Sequence, residues 1–189
     1  MKPFKAYEAA QVMTGPRPKL PIGGYVMRIM NAEEQPYSAG RVLILSVDVA
    51  EGEHKNFYAE DYKAQIEPKK WKGTVRLNCA KDDNSEQDGY TANVFKTNMD
   101  AIENSNSGYK WDWDETKLKG KFVGVLVRNK EYDYKGFQGF FPECFKLIPA
   151  EDVRAGKFAM PKDKLLSDNN SSAGTFAAVE DNDDLPFKI

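Results

Sequence analysis

"GKFVGVLVRNKEYDYKGFQGFFPECFKLI" occupies residues 120–148 and contains the strongest indication of the fold. Two runs rich in β-branched and aromatic residues, 120–134 and 137–148, are separated only by a Lys-Gly pair. The surrounding "DYKG" is typical of a tight turn between antiparallel strands. The segment therefore predicts a β-hairpin made of the last two strands of the domain.

Three further strands are predicted upstream of this hairpin. "RVLILSVDVAEG" (residues 41–52) is the clearest, because it is apolar, β-branched and bounded by turn residues. "IGGYVMRIMNAE" (residues 22–33) precedes it and carries Gly23 and Gly24, which suit a bent strand. "KGTVRLNCA" (residues 72–80) is the third strand in chain order.

Helical spacing of apolar residues appears in two segments between the strands. Residues 54–67 predict a helix that ends before Pro68, and residues 91–104 predict an amphipathic helix. A further short helix is predicted for "YEAAQVM" (residues 7–13).

This order of elements is that of an OB-fold, a small and partly open β-barrel with a helix between its third and fourth strands. We therefore expect a mostly β domain with helices, built as an OB-fold-like five-stranded barrel over residues 20–148. The helix at 54–67 would be an insertion between the second and third strands. An α+β sheet with its helices packed on one face is the alternative.

Composition divides the chain into a body and a tail. Residues 167–189 contain five acidic residues and one basic residue, whereas the rest of the chain has 26 basic and 24 acidic residues. The stretch "SDNNSSAGTFAAVEDNDD" is small, polar and acidic, and it lacks apolar periodicity. Such a segment cannot bury enough surface to offset its ordering entropy. We expect one domain over residues 1–166 and a disordered acidic C-terminal tail over 167–189.

Enzymatic chemistry finds little support in the sequence. His54 is the only histidine, so a Ser–His or Cys–His pair would depend on this one residue. Cys79 and Cys144 lie in apolar strands and are interpreted as small buried hydrophobic residues. The acidic loop containing Asp82, Asp83 and Asp88 misses the spacing of a calcium loop. No cofactor and no metal are therefore expected.

Binding chemistry finds more support, because basic and aromatic residues are interleaved in two segments. Lys and Arg neutralise phosphates, and flat rings stack on the bases of single-stranded nucleic acid. The first candidate group lies in "EPKKWKGTVR" and consists of Lys69, Lys70, Trp71, Lys72 and Arg76. The second lies in "RNKEYDYKGFQGFF" and consists of Arg128, Lys130, Tyr132, Tyr134, Lys135 and Phe137. The second group spans the loop between the last two strands, which OB-folds use for oligonucleotides.

The C-terminal "DNDDLPF" (residues 181–187) resembles the tip of bacterial single-stranded DNA-binding proteins, in which acidic residues precede an apolar-Pro-Phe ending. The body is more similar to the diverged phage and prophage members of that family. The resemblance implies that the tip docks proteins of replication, recombination or repair. Its implied docking residues are Asp181, Asp183, Asp184, Leu185, Pro186 and Phe187. Lys188 and Ile189 follow the Phe here, whereas the family's Phe usually ends the chain.

We therefore expect a non-enzymatic, cytoplasmic protein that binds single-stranded DNA during phage-type DNA replication or recombination. It would recruit partners through its tip. No membrane association is expected, and homo-oligomerisation is left open. The alternatives are a phage accessory or structural protein whose β domain binds protein or carbohydrate, and a nuclease or other metal enzyme that uses the acidic loops. DNA versus RNA preference is also left open.

Overall fold

The computed structural model describes residues 5, 7–8, 18–37 and 40–167. Five strands and three α-helices account for most of this part of the chain. In chain order they are β1 (Gly23–Tyr37), β2 (Gly40–Val49), α1 (Phe57–Ala64), β3 (Thr74–Asn78), α2 (Glu86–Ser105), β4 (Phe122–Tyr134), β5 (Phe137–Ile148) and α3 (Ala150–Arg154). A short 3-10 helix, Glu115–Leu118, lies between α2 and β4.

The strands form one antiparallel sheet in the order β3-β2-β1-β4-β5. The prediction of a mostly β domain with five strands and helices is therefore confirmed. The predicted OB-fold-like barrel is not formed as such, because no ladder of hydrogen bonds joins β3 to β5 and the sheet stays open. The two edge strands nevertheless lie near each other. β3 has only five residues against the twelve of β5, so it offers little backbone with which to close the sheet.

The core lies on one face of this sheet and consists mainly of β-branched residues and leucines. Val47 on β2, Val125 on β4 and Ile102 on α2 are fully buried in it. Sheet residues of this kind pack well against each other on a pleated surface. The core therefore joins the central strands to α2. Within the described residues, no helix is both long and apolar enough to cross a membrane.

A buried carboxylate connects the end of β2 to the start of α1. The side chain of Asp48 accepts hydrogen bonds from the backbone N–H groups of Val49 and Tyr58 (both 2.9 Å) and of Ala59 (3.2 Å). Burial raises the pKa of Asp48, although these hydrogen bonds and the charge of Arg28 act in the opposite direction. Asp48 thus satisfies N–H groups in the first turn of α1 that have no intrahelical partner.

Both thiols are in the reduced form. The sulfur of Cys144 lies 3.4 Å from the hydroxyl oxygen of Tyr58. Burial raises the pKa of the Cys144 thiol to about 12, and it also raises that of Cys79. Both groups are therefore protonated at neutral pH. Cys144 is buried as predicted, whereas Cys79 is only partly buried.

The segment that follows α3 returns across the sheet. The ring of Phe158 packs on Gly24, where a Cβ atom would lie only 2.7 Å from the ring carbon Cζ. Lys164 then continues along the edge of β4: its N–H donates to Asn129 O, and its carbonyl accepts from Glu131 N–H. This segment covers the β4 edge beyond the point where β1 pairing ends.

Candidate nucleic-acid interface

The β4–β5 hairpin is closed by a two-residue turn. Lys135 and Gly136 both have positive φ angles, 50° and 83°, as the hairpin turn of type I′ requires. Tyr134 therefore pairs with Phe137, and the register continues inward from this pair. The predicted strand 137–148 coincides with β5.

Residues opposite each other on antiparallel strands share a face of the sheet. Val127 and Cys144 form a pair on the core side, so the next pair, Arg128 with Glu143, lies on the outward face. The same alternation brings further candidate residues onto the outward face. The remaining outward pairs are Lys130 with Phe141, Tyr132 with Gly139, and Tyr134 with Phe137.

Cations and rings touch each other along this outward face. The Arg128 guanidinium carbon lies 4.3 Å from the centre of the Phe145 ring, and the Lys130 ammonium lies 5.7 Å from that of Phe141. At the turn, the Lys135 ammonium lies 5.2 Å from the centre of the Tyr134 ring. We call the outward side of β4 and β5, from Arg128 to Phe145, the hairpin face.

Tyr132 and Phe137 are two aromatic residues of the hairpin face with different degrees of exposure. The Tyr132 ring lies across Gly139, where a Cβ atom would be 2.9 Å from the tyrosine hydroxyl oxygen, and it is tilted against Phe141 at 6.2 Å. Phe137 beside the turn is 71% exposed. Rings with an accessible side can stack on nucleobases.

One carboxylate lies among these cations. Glu143 accepts a hydrogen bond from Arg128 Nε at 2.7 Å, and its other oxygen lies 3.6 Å from Lys130 Nζ. The side chains of Arg128 and Glu143 are each 24% exposed, so solvent screens their interaction only in part. The outward face thus holds a built-in anion at the position where two cations converge.

The first candidate group is placed differently. Lys69, Lys70, Trp71 and Lys72 lie in the loop between α1 and β3. Arg76 lies on β3 between the buried residues Val75 and Leu77, so it faces outward. The loop is not part of the hairpin face.

Internal contacts occupy most of this loop. The indole N–H of Trp71 donates to the carbonyls of Val47 (3.2 Å) and Gly73 (3.0 Å), and its half-buried ring packs against the core. Lys72 forms an ion pair with Asp61 at 3.2 Å. The ammonium of Lys69 lies 5.7 Å from the centre of the Tyr62 ring. Trp71 therefore has a structural role that its sequence context does not indicate.

Phe141, Phe145 and Glu143 belong to the hairpin face but were not among the residues predicted from sequence. Phe141 and Glu143 could have been found by counting back from the two-residue turn, since that turn fixes the register. The same counting places Phe145 on this face, although a bulge shifts the register between Leu126 and Val127 on the opposite strand.

The other candidates have separate outcomes. The predicted docking residues Asp181 to Phe187 lie outside the described residues, as does most of the predicted helix 7–13.

His54 lies between two rings, with its ring centre 6.0 Å from Tyr25 and 6.4 Å from Phe57. Across the described residues, no group of three or more His, Cys, Asp or Glu is arranged to hold a metal ion.

The acidic loop before α2 has a local structural role. Ser85 is the N-cap of α2, and its hydroxyl accepts from the N–H of Asp88 at 3.1 Å. Asp83 accepts from the N–H of Ser85 at 2.9 Å. These contacts satisfy backbone groups at the helix start.

No protein-family model matches the chain, and no curated protein is similar to it at a significant level.

Proposed function

We propose that this protein binds single-stranded DNA without strong base preference, through the hairpin face of β4 and β5. The observation that carries the proposal is the interleaving of cations and partly exposed rings on one side of one hairpin. Cations track a phosphate backbone, and rings stack on any base, so this mixture suits a single strand of arbitrary sequence.

The architecture supports the same proposal. The strand order β3-β2-β1-β4-β5, with neighbouring edges and α2 between β3 and β4, is compatible with a partly open OB-type barrel. OB-folds bind oligonucleotides with the loop between their fourth and fifth strands among the contacts. The hairpin face includes that loop. A cytoplasmic role in phage-type replication or recombination belongs to the same proposal.

The experiment is a titration of labelled oligo-dT, followed by fluorescence anisotropy at several salt concentrations. Each phosphate neutralised by a cation contributes about -0.7 to the slope of log affinity against log salt. Lys130→Ala should flatten this slope, whereas Lys55→Ala should not, because Lys55 lies in the exposed turn after β2. Tyr134→Ala should weaken binding by about 1–3 kcal/mol at every salt concentration if the ring stacks on a base.

Tyr90→Ala on α2 is the matched aromatic control, since Tyr90 is 53% exposed and lies on a different element. Absence of oligo-dT binding at low salt would contradict the proposal. Equal losses from the hairpin and control variants would contradict the assignment of the site. A parallel titration with oligo-U measures the preference between DNA and RNA.

A second part of the proposal concerns the C-terminal tip and rests on the sequence resemblance alone. The tip would dock a replication, recombination or repair protein, with Phe187 as the apolar anchor and the preceding carboxylates as the charged part. Phe187→Ala should abolish capture of such a partner from extracts of the host and leave oligo-dT binding intact. Deletion of Lys188 and Ile189 should strengthen capture if the pocket binds a C-terminal Phe. Unchanged capture by Phe187→Ala would show that the tip is only a solvated end.

A further inference from the structure

The loop between α2 and β4 holds a tryptophan in an unusual position. Trp113 is 78% exposed and has a φ angle of 68°, in the left-handed region that bulky residues rarely adopt. Exposure and backbone conformation are both unfavourable for a residue whose only role is packing. Backbone outliers of this kind tend to occur at functional sites.

Neighbouring rings hold Trp113 in place. Its indole is nearly parallel to the ring of Phe95 on α2, with an interplanar angle of 5° and ring centres 6.3 Å apart. Trp111, which packs against the core, is tilted against both rings at 6.0 and 6.4 Å. Because these contacts leave most of Trp113 exposed, the indole is a supported but uncovered flat surface.

The residues next to Trp113 along the chain are acidic. Asp112, Asp114 and Glu115 flank Trp113 in sequence, and Lys117 forms ion pairs with the first two. Among the other nearby cations, Lys110 is paired with Glu103 at 2.5 Å, and the Lys121 ammonium lies 4.7 Å from the centre of the Tyr109 ring. Lys117 occupies Asp112 and Asp114, and the exposed Lys119 follows it, so Glu115 is the carboxylate of this loop that forms no ion pair among the described residues.

An exposed indole with adjacent carboxylates matches the chemistry of a guanidinium group. Arginine stacks on aromatic faces, and its planar fork donates hydrogen bonds to carboxylates. The unpaired carboxylate of Glu115 would repel a phosphate group. The surface therefore favours a cationic protein segment over nucleic acid.

The position of Trp113 separates it from the hairpin face. The loop is joined to the start of β4, where Phe122 N–H donates to Asn106 Oδ1 at 2.9 Å. The nearest residue of the hairpin face, Arg128, lies six residues from Phe122 along β4, or roughly 20 Å along an extended strand. Both surfaces can thus be occupied at the same time.

We propose that Trp113, supported by Phe95 and flanked by Asp112, Asp114 and Glu115, is a docking surface for an arginine side chain of a partner protein. This surface is independent of nucleic-acid binding at the hairpin. Because Phe95 lies on α2 and Trp111 packs against the core, the platform is preformed in the isolated chain.

The test is an NMR titration of the tryptophan indole N–H signals with an Arg-Gly repeat peptide. A peptide carrying citrulline in place of arginine is the control, since it keeps the shape but removes the charge. We expect the arginine peptide to shift the Trp113 signal and the citrulline peptide to leave it unchanged. Glu115→Gln should weaken arginine-peptide binding several-fold without altering the fold.

A variant separates docking from a packing role. Trp113→Gly should lose peptide binding but unfold at the same or a higher temperature, because glycine adopts a positive φ without strain. A lower unfolding temperature together with unchanged peptide binding would overturn the proposal, as would absence of a peptide shift in the wild-type protein. If oligo-dT shifts the Trp113 signal and the peptide does not, the occupant is nucleic acid and the proposal is wrong.

Discussion

The two halves of β4 differ in what their side chains contact. Val123, Val125 and Val127 in the first half are fully buried, and this half is hydrogen-bonded to β1 on one side and β5 on the other. The second half, from Arg128 onward, no longer pairs with β1, and its side chains are only partly buried. One strand therefore contributes to the core with its first half and to the proposed binding surface with its second half.

Substitutions in the two halves of β4 should therefore have different effects. Core residues are constrained by close packing, whereas residues of the hairpin face would be constrained by the proposed ligand. Changes in the first half of β4 and its partners should affect stability, and changes in the second half should affect ligand affinity.

The largest expected effect comes from comparing two single substitutions on β5. Leu147 pairs with Val125 and is 2% exposed, so Leu147→Ala should lower the free energy of unfolding by about 2–5 kcal/mol. Phe137 is on the same strand but 71% exposed, and Phe137→Ala should change that free energy by less than about 0.5 kcal/mol. Urea unfolding followed by far-UV circular dichroism measures both.

The ligand assay should give the reverse order. Phe137→Ala should weaken oligo-dT binding, and Leu147→Ala, where it is folded, should retain wild-type affinity. Equal destabilisation by the two substitutions would show that the hairpin belongs to the core, and the contrast between the halves of β4 would be wrong.

Local sequence signals explain most of the sheet. The turn at Lys135 and Gly136 fixed the hairpin, since a two-residue turn with positive φ angles dictates the pairing of its flanks. β1 extends to Tyr37, beyond the predicted end at residue 33, because residues 31–37 pair with β2 despite their polar composition. Strand pairing here outweighs intrinsic propensity.

Helix boundaries were less predictable. The helix predicted at residues 91–104 begins at Glu86 instead. Ser85 is its N-cap, and the Ser85 side chain accepts a hydrogen bond from the backbone N–H of Asp88 in the first turn. The helix predicted at 54–67 is shortened to Phe57–Ala64, and its start is fixed by Asp48, ten positions before Tyr58. A contact that distant in sequence leaves no periodic signal.

The candidate site was predicted in part. The interleaving of basic and aromatic residues along 128–137 pointed to this hairpin, and the strand register then places Arg128, Lys130, Tyr132 and Tyr134 on one face. The role of Trp71 could not be found in this way, since its hydrogen bond to Val47 depends on how the α1–β3 loop folds back on β2. Aromatic residues near lysines are thus weak predictors of binding unless the strand register places them on one face.

The smallest expected effect concerns Glu143, which the sequence did not single out. Its carboxylate interacts with Arg128 and Lys130, the cations that we expect to contact phosphate. If DNA binds at the hairpin face as proposed, Glu143 occupies the position of a phosphate group in the unbound protein, and DNA has to compete with it. Glu143→Gln keeps the shape of the side chain and removes the competing charge. Partly exposed ion pairs contribute up to about 1 kcal/mol, so oligo-dT affinity should rise by about fivefold.

Glu53→Gln is the matched control, because it removes the same charge from an exposed position in the turn after β2. Oligo-dT titrations of the two variants at several salt concentrations separate three results. A gain confined to Glu143→Gln, with a steeper salt dependence, would place phosphates at Arg128 and Lys130. Equal gains in oligo-dT affinity for the two variants would show that the effect comes from the change in net charge alone. A loss of affinity in Glu143→Gln would mean that the carboxylate holds the two cations in their binding positions, and it would contradict the competition described here. In each case stability should change little, since the hairpin face lies outside the core that the first half of β4 helps to form.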